Sequence, residues 1–521
     1  MDPKTAPSPA FTSLRYVFCS RWEESKLPFL SSMLFGLLAY VFTFTNKLVI
    51  HDDVCALFSK GATIDSGRWG LEILDRFFPN ISMPWIYGII SIALIAIAIC
   101  IMVRMFAIRS KLLQVLLSGC IMVFPSLTGI FNYMFTSSSY AAAFLLAVIS
   151  VNAIYPSKNS RRIILSFVCL IFSLSIYQAY VALAAGLLIL VLLHRLLEGE
   201  KPASVLLSGF GYILFLLISL ISYYGITQLV LKHYGIVFNS YAASFNPFDL
   251  GALPHNIHCA YLSFLQFFLH GYDALIPTKL SRLVHILSAA AVCLLLLIWS
   301  ISQKRKKLSW YLLLIVLLVL LPLAINGMYL ITGPFSIHTL VMHSFVCVYI
   351  FVALVADLCL PMLFQKRWKA FLQTATLDIV TLSMFITIVT NIYVANADSL
   401  NLYLRYENTY SFYTSLMAQI MQMPEYTPDT KLAVMGDYQQ PSFYNEYFPS
   451  LYYMNGWAGI SPDIYSYDKF IEYYIGVEIP IAGDDEIAEI ASSPEYAEMA
   501  VYPYYGSVRL IGDTIVVKLS E

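Results

Sequence analysis

The feature that most constrains this chain is a succession of apolar runs, each about as long as a bilayer crossing and each followed by a polar stretch. A helix needs about 20 mostly apolar residues to cross the hydrocarbon. Runs of roughly this kind stand at 28–44, 84–103, 112–130, 140–155, 163–177, 181–196, 205–231, 283–302, 308–325, 339–360 and 371–395. No water-soluble core could use them all. Composition agrees, since 59% of the residues are hydrophobic and 12% are charged, against about a quarter charged in soluble domains. The expected fold class is therefore a polytopic α-helical membrane protein of about eleven transmembrane helices. The stretch 163–196 is too long for one crossing, so it is divided at Ser175-Ile176-Tyr177-Gln178, as a tight turn or a polar site in the bundle.

Loop charge orients the spans. Arg104, Arg109 and Lys111, then Lys158, Arg161 and Arg162, then Arg195 and Lys201, then 304–307, then Lys366, Arg367 and Lys369 occupy every second loop. Positive residues mark cytoplasmic loops. This parity predicts a cytoplasmic tail at 1–27, a bundle at 28–395 with external loops at 45–83 and 232–282, and an external domain at 396–521. The tail has no cleavable signal pattern, so the first span reads as an uncleaved anchor. In the last segment, 431–437 and the hairpin about Gly512-Asp513 read as strands, while 467–474 and 485–492 read as helices, which makes a small extracytoplasmic α/β domain. In the two external loops, 69–78 and 257–269 show helical patterns rich in aromatic residues and are expected to rest on the bilayer surface.

Several function classes drop out. No basic cluster with interleaved aromatics is present, so nucleic acid is not a partner. Phosphate-loop, zinc-hydrolase and serine-hydrolase motifs are missing. The nine cysteines are scattered and read as small buried hydrophobes; a Cys55–Cys259 bridge has little support from spacing alone. No cofactor is called for. A divalent metal stays an open alternative at His255 and His258 with Asp249, although an i, i+3 histidine pair is a weak signature.

What remains is the adjacent pair Asp52 and Asp53, placed just past the first span, with cations expected in the same layer: Arg68, Arg76, Lys232, Lys279 and Arg282. Such a set suits a lipid-linked phosphate, whose prenyl chain stays in hydrocarbon while arginine or lysine pairs with the phosphate at the interface. A carboxylate at that depth can take a proton from an incoming hydroxyl. Each residue also has a plainer role. The aspartates could cap a helix start; Arg68 could bridge Glu72 at i, i+4. Lys232, Lys279 and Arg282 could be interface anchors, and Tyr177 and Gln178 could satisfy each other between helices. Asp357 and Asp378 are expected to be hydrogen-bonded or snorkelling near the cytoplasmic ends.

The segments His51-Asp52-Asp53, Phe58-Ser-Lys-Gly61-Ala-Thr and Ser66-Gly67-Arg68-Trp69, the Tyr177-Gln178 pair, and the ending Tyr502-Pro503, Gly506-Ser-Val, Ile511-Gly-Asp and Val516-Val517-Lys518-Leu519 together resemble the bacterial glucosyltransferases of the O-antigen-modifying type II Gtr kind. The resemblance runs from the first span to the last strand. It implies a GT-C-like enzyme with an acidic pair in the first external loop and a polyprenyl-phosphate sugar as donor. By position, Asp52 and Asp53 become the catalytic pair and Arg68 a candidate donor-phosphate or loop-ordering residue; Tyr177 and Gln178, quoted in the resemblance, stand as candidates for donor phosphate or sugar. The expected partners are that donor, a cell-surface polysaccharide acceptor and the lipid bilayer of a bacterial inner membrane. The alternative is a transporter or flippase of a lipid-linked sugar. It would need ionisable residues along a path through the spans, and these are nearly empty of them.

Overall fold

The computed structural model describes residues 9–59, 63–76, 81–155, 159–238, 251–270, 279–302, 308–332, 339–362, 366–438 and 466–521. Ten helices among these are long and apolar enough to cross a membrane, and the chain is a multi-pass membrane protein. The bundle comprises α1 (Pro9–Thr45), α4 (Pro84–Met105), α5 (Lys111–Met122) continued by α6 (Pro125–Asn132), α7 (Met134–Ile154), α8 (Ser160–Ile176), α9 (Tyr180–Glu198) and α10 (Pro202–Tyr234). Short helices α2 (His51–Cys55) and α3 (Trp69–Leu74) lie between α1 and α4. After α10 come α11 (Leu253–Leu265), α12 (Lys279–Ser302), α13 (Leu308–Ile325), α14 (Met328–Thr332), α15 (Val346–Cys359) and α16 (Arg367–Met421). The expected crossing at 163–177 is α8, a helix of 17 residues; at 1.5 Å per residue its length of about 26 Å falls just below a full crossing.

The split between α8 and α9 falls where the polar residues stand. α8 stops at Ile176 and Tyr177 turns extended (φ −150°, ψ 107°), because Tyr177 and Gln178 face partners in the loop after α1, described below. At the opposite end Asp357 accepts the backbone N–H groups of Arg109 (3.1 Å) and Ser110 (2.8 Å). That ties the turn just before α5 to α15. Asp378 is exposed.

Three expectations can be set beside the observed fold. First, both aromatic loop helices send side chains into the bundle. α3 ends after six residues and buries Gly70 and Leu71, while Ile73, expected on its apolar face, is 40% exposed; Phe77 and Phe78 lie outside the described residues. The helical turn Gln266–His270 after α11 buries Phe267 and Phe268, with the Phe267 ring against Phe124 and Phe345. These rings face the bundle core. Second, Cys55 and Cys259 are free thiols, in keeping with the weak support for a bridge between them. Third, the composition change after Ala395 does not end the helix. α16 runs 55 residues, about 80 Å and far longer than the hydrocarbon is thick.

The end of α16 becomes the spine of the carboxyl-terminal unit. Phe412, Tyr413, Leu416, Met417 and Ile420 bury under a three-stranded sheet of β1 (Lys431–Met435), β2 (Val508–Ile511) and β3 (Thr514–Lys518), ordered β1-β3-β2. β3 pairs parallel with β1 and antiparallel with β2 across the two-residue turn Gly512-Asp513, with Gly512 at φ +62° as such a turn requires. The remaining described helices are α17 (Tyr467–Phe470), α18 (Asp484–Ala491) and α19 (Pro494–Ala497). Hydrogen bonds that tie α16 to the bundle near the end of α1 include Thr43 with Ser399 at 2.7 Å, Asn396 Nδ2 to Leu38 O at 3.2 Å, and Asn132 Nδ2 to the buried Asp398 at 3.3 Å.

Candidate active site

The segment leaving α1 alternates as an extended chain does. Leu48 and Ile50 pack on Leu402 of α16, while Val49 between them joins the core of the terminal unit. Both sides hold it, so α2 starts at a fixed place. α2 puts two carboxylates in its first turn, where the exposed helix N–H groups favour negative charge. Successive helical residues point about 100° apart, and that rotation gives the pair different fates.

Asp53 turns inward and is fully buried. Lys47 Nζ forms an ion pair with its Oδ2, Ser82 Oγ donates to Oδ1 at 2.7 Å, and the Phe135 N–H reaches the same oxygen at 3.3 Å. Lys47 also donates to Ser82 at 2.9 Å. Asp53 thus joins α2, the chain before α4 and the start of α7. Asp52 is exposed. Of the two, it alone can meet a substrate without breaking a buried pair, whose loss typically costs about 3–5 kcal/mol.

The terminal unit completes the other side of α2. His51 Nδ1 and Ser466 Oγ are 2.7 Å apart, both buried. A cleft beside them is walled by Val49, Val54, Tyr406, Thr409, Tyr413 and Phe470. Cys55 senses the same surroundings. Burial chiefly pushes its thiol up to about 11, the negative charges of Asp468 and Asp52 add to this, and Lys469 opposes it.

A second cluster forms where the loop meets the α8–α9 elbow. The turn before α3 closes with Arg68 N to Thr63 O at 2.7 Å. Gly67 there has φ +75°, and a Cβ on it would lie 2.8 Å from the Tyr223 hydroxyl. Gln178 donates to Ser66 O at 3.0 Å and to the Tyr223 hydroxyl at 2.9 Å, and Tyr223 donates to Gly67 O at 3.0 Å. Trp69 Nε1 reaches Thr227 on α10 at 3.1 Å. Arg68 Nη1 donates to the Tyr140 hydroxyl at 3.1 Å and its guanidinium stands 5.8 Å from the Tyr177 ring centre. Tyr140 and Tyr177 stack with centroids 4.3 Å apart. Arginine on a tyrosine pair keeps a planar, permanently charged fork in place.

The two clusters share α7: Phe135 holds Asp53, and Tyr140, five residues or about 7.5 Å further along the axis, holds Arg68. The structure thus places Asp52 and Asp53 in one cluster and Arg68, Tyr177 and Gln178 in another, both held by α7. Among the described residues, no hydrogen bond or ion pair joins the other expected cations to either cluster. Lys232 is exposed in the last turn of α10, one turn beyond Thr227, and Arg282 is exposed in the first turn of α12; the side chain of Lys279 lies outside the described residues. His255 and His258 are exposed on α11, Asp249 is outside the described residues, and no group of three metal-ligating side chains occurs among those described.

Lys47, Ser82, Tyr140, Tyr223 and Ser466 were missed by the sequence reading. Lys47 had one signal, being the nearest cation in the chain to the acidic pair. The others are uncharged side chains, between 29 and 415 residues from their partners, with no local pattern to find them.

A comparison with protein families matches residues 41–354 to Glucosyl transferase GtrII. The match covers more than half of the chain. It takes in Asp52, Asp53 and their bundle partners and all of the second cluster, and ends within α15, ahead of the terminal unit that supplies Ser466. No curated protein matches the chain, and no solved structure does.

Proposed function

The chain belongs to the GtrII glucosyl transferase family, and from that premise we propose that it moves a glucosyl residue from a polyprenyl-phosphate donor to a cell-surface polysaccharide, on the extracytoplasmic side of a bacterial cytoplasmic membrane. The alternation of basic loops supports that sidedness. The observation that carries the mechanism is the division within the acidic pair. Asp53 is sealed against Lys47, Ser82 and Phe135, and Asp52 faces out beside it.

In this reading the donor's prenyl chain stays in the bilayer and its phosphate meets Arg68, whose guanidinium is set by Tyr140 and Tyr177. The acceptor hydroxyl oxygen attacks the anomeric carbon from the face opposite the phosphate. As the new C–O bond forms, the old one breaks, and its electron pair leaves with the polyprenyl phosphate. The hydroxyl proton passes to Asp52. One displacement inverts the anomeric centre. General-base catalysis of this kind contributes about 10²- to 10⁴-fold, and a fixed cation at the leaving phosphate lowers the barrier further.

The test uses purified protein in lipid with polyprenyl-phosphate glucose labelled in the sugar and envelope glycan as acceptor. The reading expects labelled glycan carrying the anomeric configuration opposite to that of the donor. Retained configuration would remove the single displacement. No transfer, together with movement of donor between the leaflets of reconstituted vesicles, would favour the transporter.

A further inference from the structure

The turn after α2 carries an aromatic ring into the open. Phe58 is 57% exposed, and its ring meets Tyr473 edge-on, with centroids 5.1 Å apart and planes at 85°. Tyr473 belongs to the helical turn Ile471–Ile475 that follows α17, so the start of the bundle and the terminal unit build one aromatic wall. Lys469 Nζ stands 5.6 Å from the Tyr473 ring centre and pairs with Glu472 at 2.7 Å and Asp468 at 3.9 Å. The helix that carries Asp468 and Lys469 packs against α2, the helix of Asp52, and the Cys55 thiol feels Asp52, Asp468 and Lys469 together.

A sugar ring has a C–H face and a rim of hydroxyls. The C–H face carries partial positive charge and fits the negative face of an aromatic ring. The hydroxyls both donate and accept, so a rim of carboxylates and an ammonium can hold them. A large aromatic side chain held more than half exposed does little for the protein's own core.

We propose that Phe58 and Tyr473, edged by Asp468, Lys469 and Glu472, form the acceptor subsite, seating a glycan residue next to the hydroxyl that Asp52 deprotonates. The proposal rests on the transferase reading for the identity of the acceptor. The terminal unit then selects the glycan, and the bundle holds the donor.

Binding is tested without donor. Full-length protein in nanodiscs is titrated against end-labelled envelope-glycan oligosaccharides, with fluorescence anisotropy as readout. Phe58→Ala and Tyr473→Ala should each weaken binding about tenfold at unchanged Tm, while Phe58→Trp stays within about twofold. With donor added, the acceptor KM should rise in the alanine variants and the donor KM should hold. Alanine variants that bind like the wild type, a wild type that binds no glycan, or a donor KM that rises instead would each overturn the subsite. A wild type that binds glycan through these residues but transfers no glucose would sink the transferase reading and leave the subsite standing. A wild type that transfers glucose, with alanine variants indistinguishable from it, would do the reverse.

Discussion

Asp52 and Asp53 are adjacent and chemically identical, so their difference comes entirely from neighbours. Asp53 is part of a buried pair, and replacing Lys47 alone strands its charge. Lys47→Met should therefore cost about 3–5 kcal/mol, read as a lower denaturation midpoint. Adding Asp53→Asn to it should recover part of the loss, since the stranded charge is gone. A double variant no better than the single would deny the pairing. Cys55 offers a separate probe of the same place. Its thiol is pushed up to about 11, so thiolate is scarce near pH 8 and alkylation is slow. Asp52→Asn or Asp468→Asn removes a negative charge and should lower that value and speed alkylation at fixed pH; Lys469→Met should slow it. Mass-spectrometric alkylation rates at Cys55 across pH check this, and an unmoved profile would separate Cys55 from those charges. The sequence displayed the acidic pair but not which member is sealed. Ser82 and Phe135 reach Asp53 from 29 and 82 residues away, and no periodicity encodes such contacts.

At the scale of elements, the spans were legible because a crossing is a local property: its apolar residues are consecutive. The α8–α9 elbow was legible for the same reason. What a helix packs against is not local. The aromatics at 69–78 suggested a helix resting on the bilayer surface, but gave no sign that α3 docks on α8 through a glycine. A Cβ on Gly70 would come within 2.9 Å of Ile176 Cγ1 and 3.0 Å of the Ser175 backbone. Backbone cannot yield as a flexible side chain does, so Gly70→Ala should displace α3 at a cost of about 1–3 kcal/mol. Because Arg68 is the residue before α3, donor KM should rise with it. Limited proteolysis of the 59–81 loop and donor kinetics read the two effects. A variant with wild-type values for both would show that this contact does not position Arg68.

For the whole molecule, the main departure from the sequence reading is the spine. The change in composition after Ala395 suggested a boundary, but α16 passes through it because its second half exchanges lipid for the sheet and α17. Local composition reports what surrounds a helix as much as where it ends. Val49 and Val54, from the loop that carries the acidic pair, share one apolar cluster with Phe412, Tyr413, Leu432 and Phe470. The terminal unit is thus a lid packed on the candidate site. Removing 422–521 should leave the membrane spans inserted but uncover α2, with transfer falling below detection even at saturating acceptor. Membrane fractionation with a transfer assay checks this, and full activity of the shortened protein would mean that α2 is held by the bundle alone.

The central claim is the division of labour between the two aspartates, and the most direct measurement sets Asp52→Asn beside Asp53→Asn, recording kcat and thermal midpoint for each in the same lipid. The account predicts that Asp52→Asn keeps the wild-type midpoint and donor KM while kcat falls about 10²- to 10⁴-fold, and that Asp53→Asn lowers the midpoint because Lys47 loses its partner. An Asp52→Asn protein with undiminished kcat, or an Asp53→Asn protein as stable as the wild type but inactive, would contradict it and make Asp53 the base.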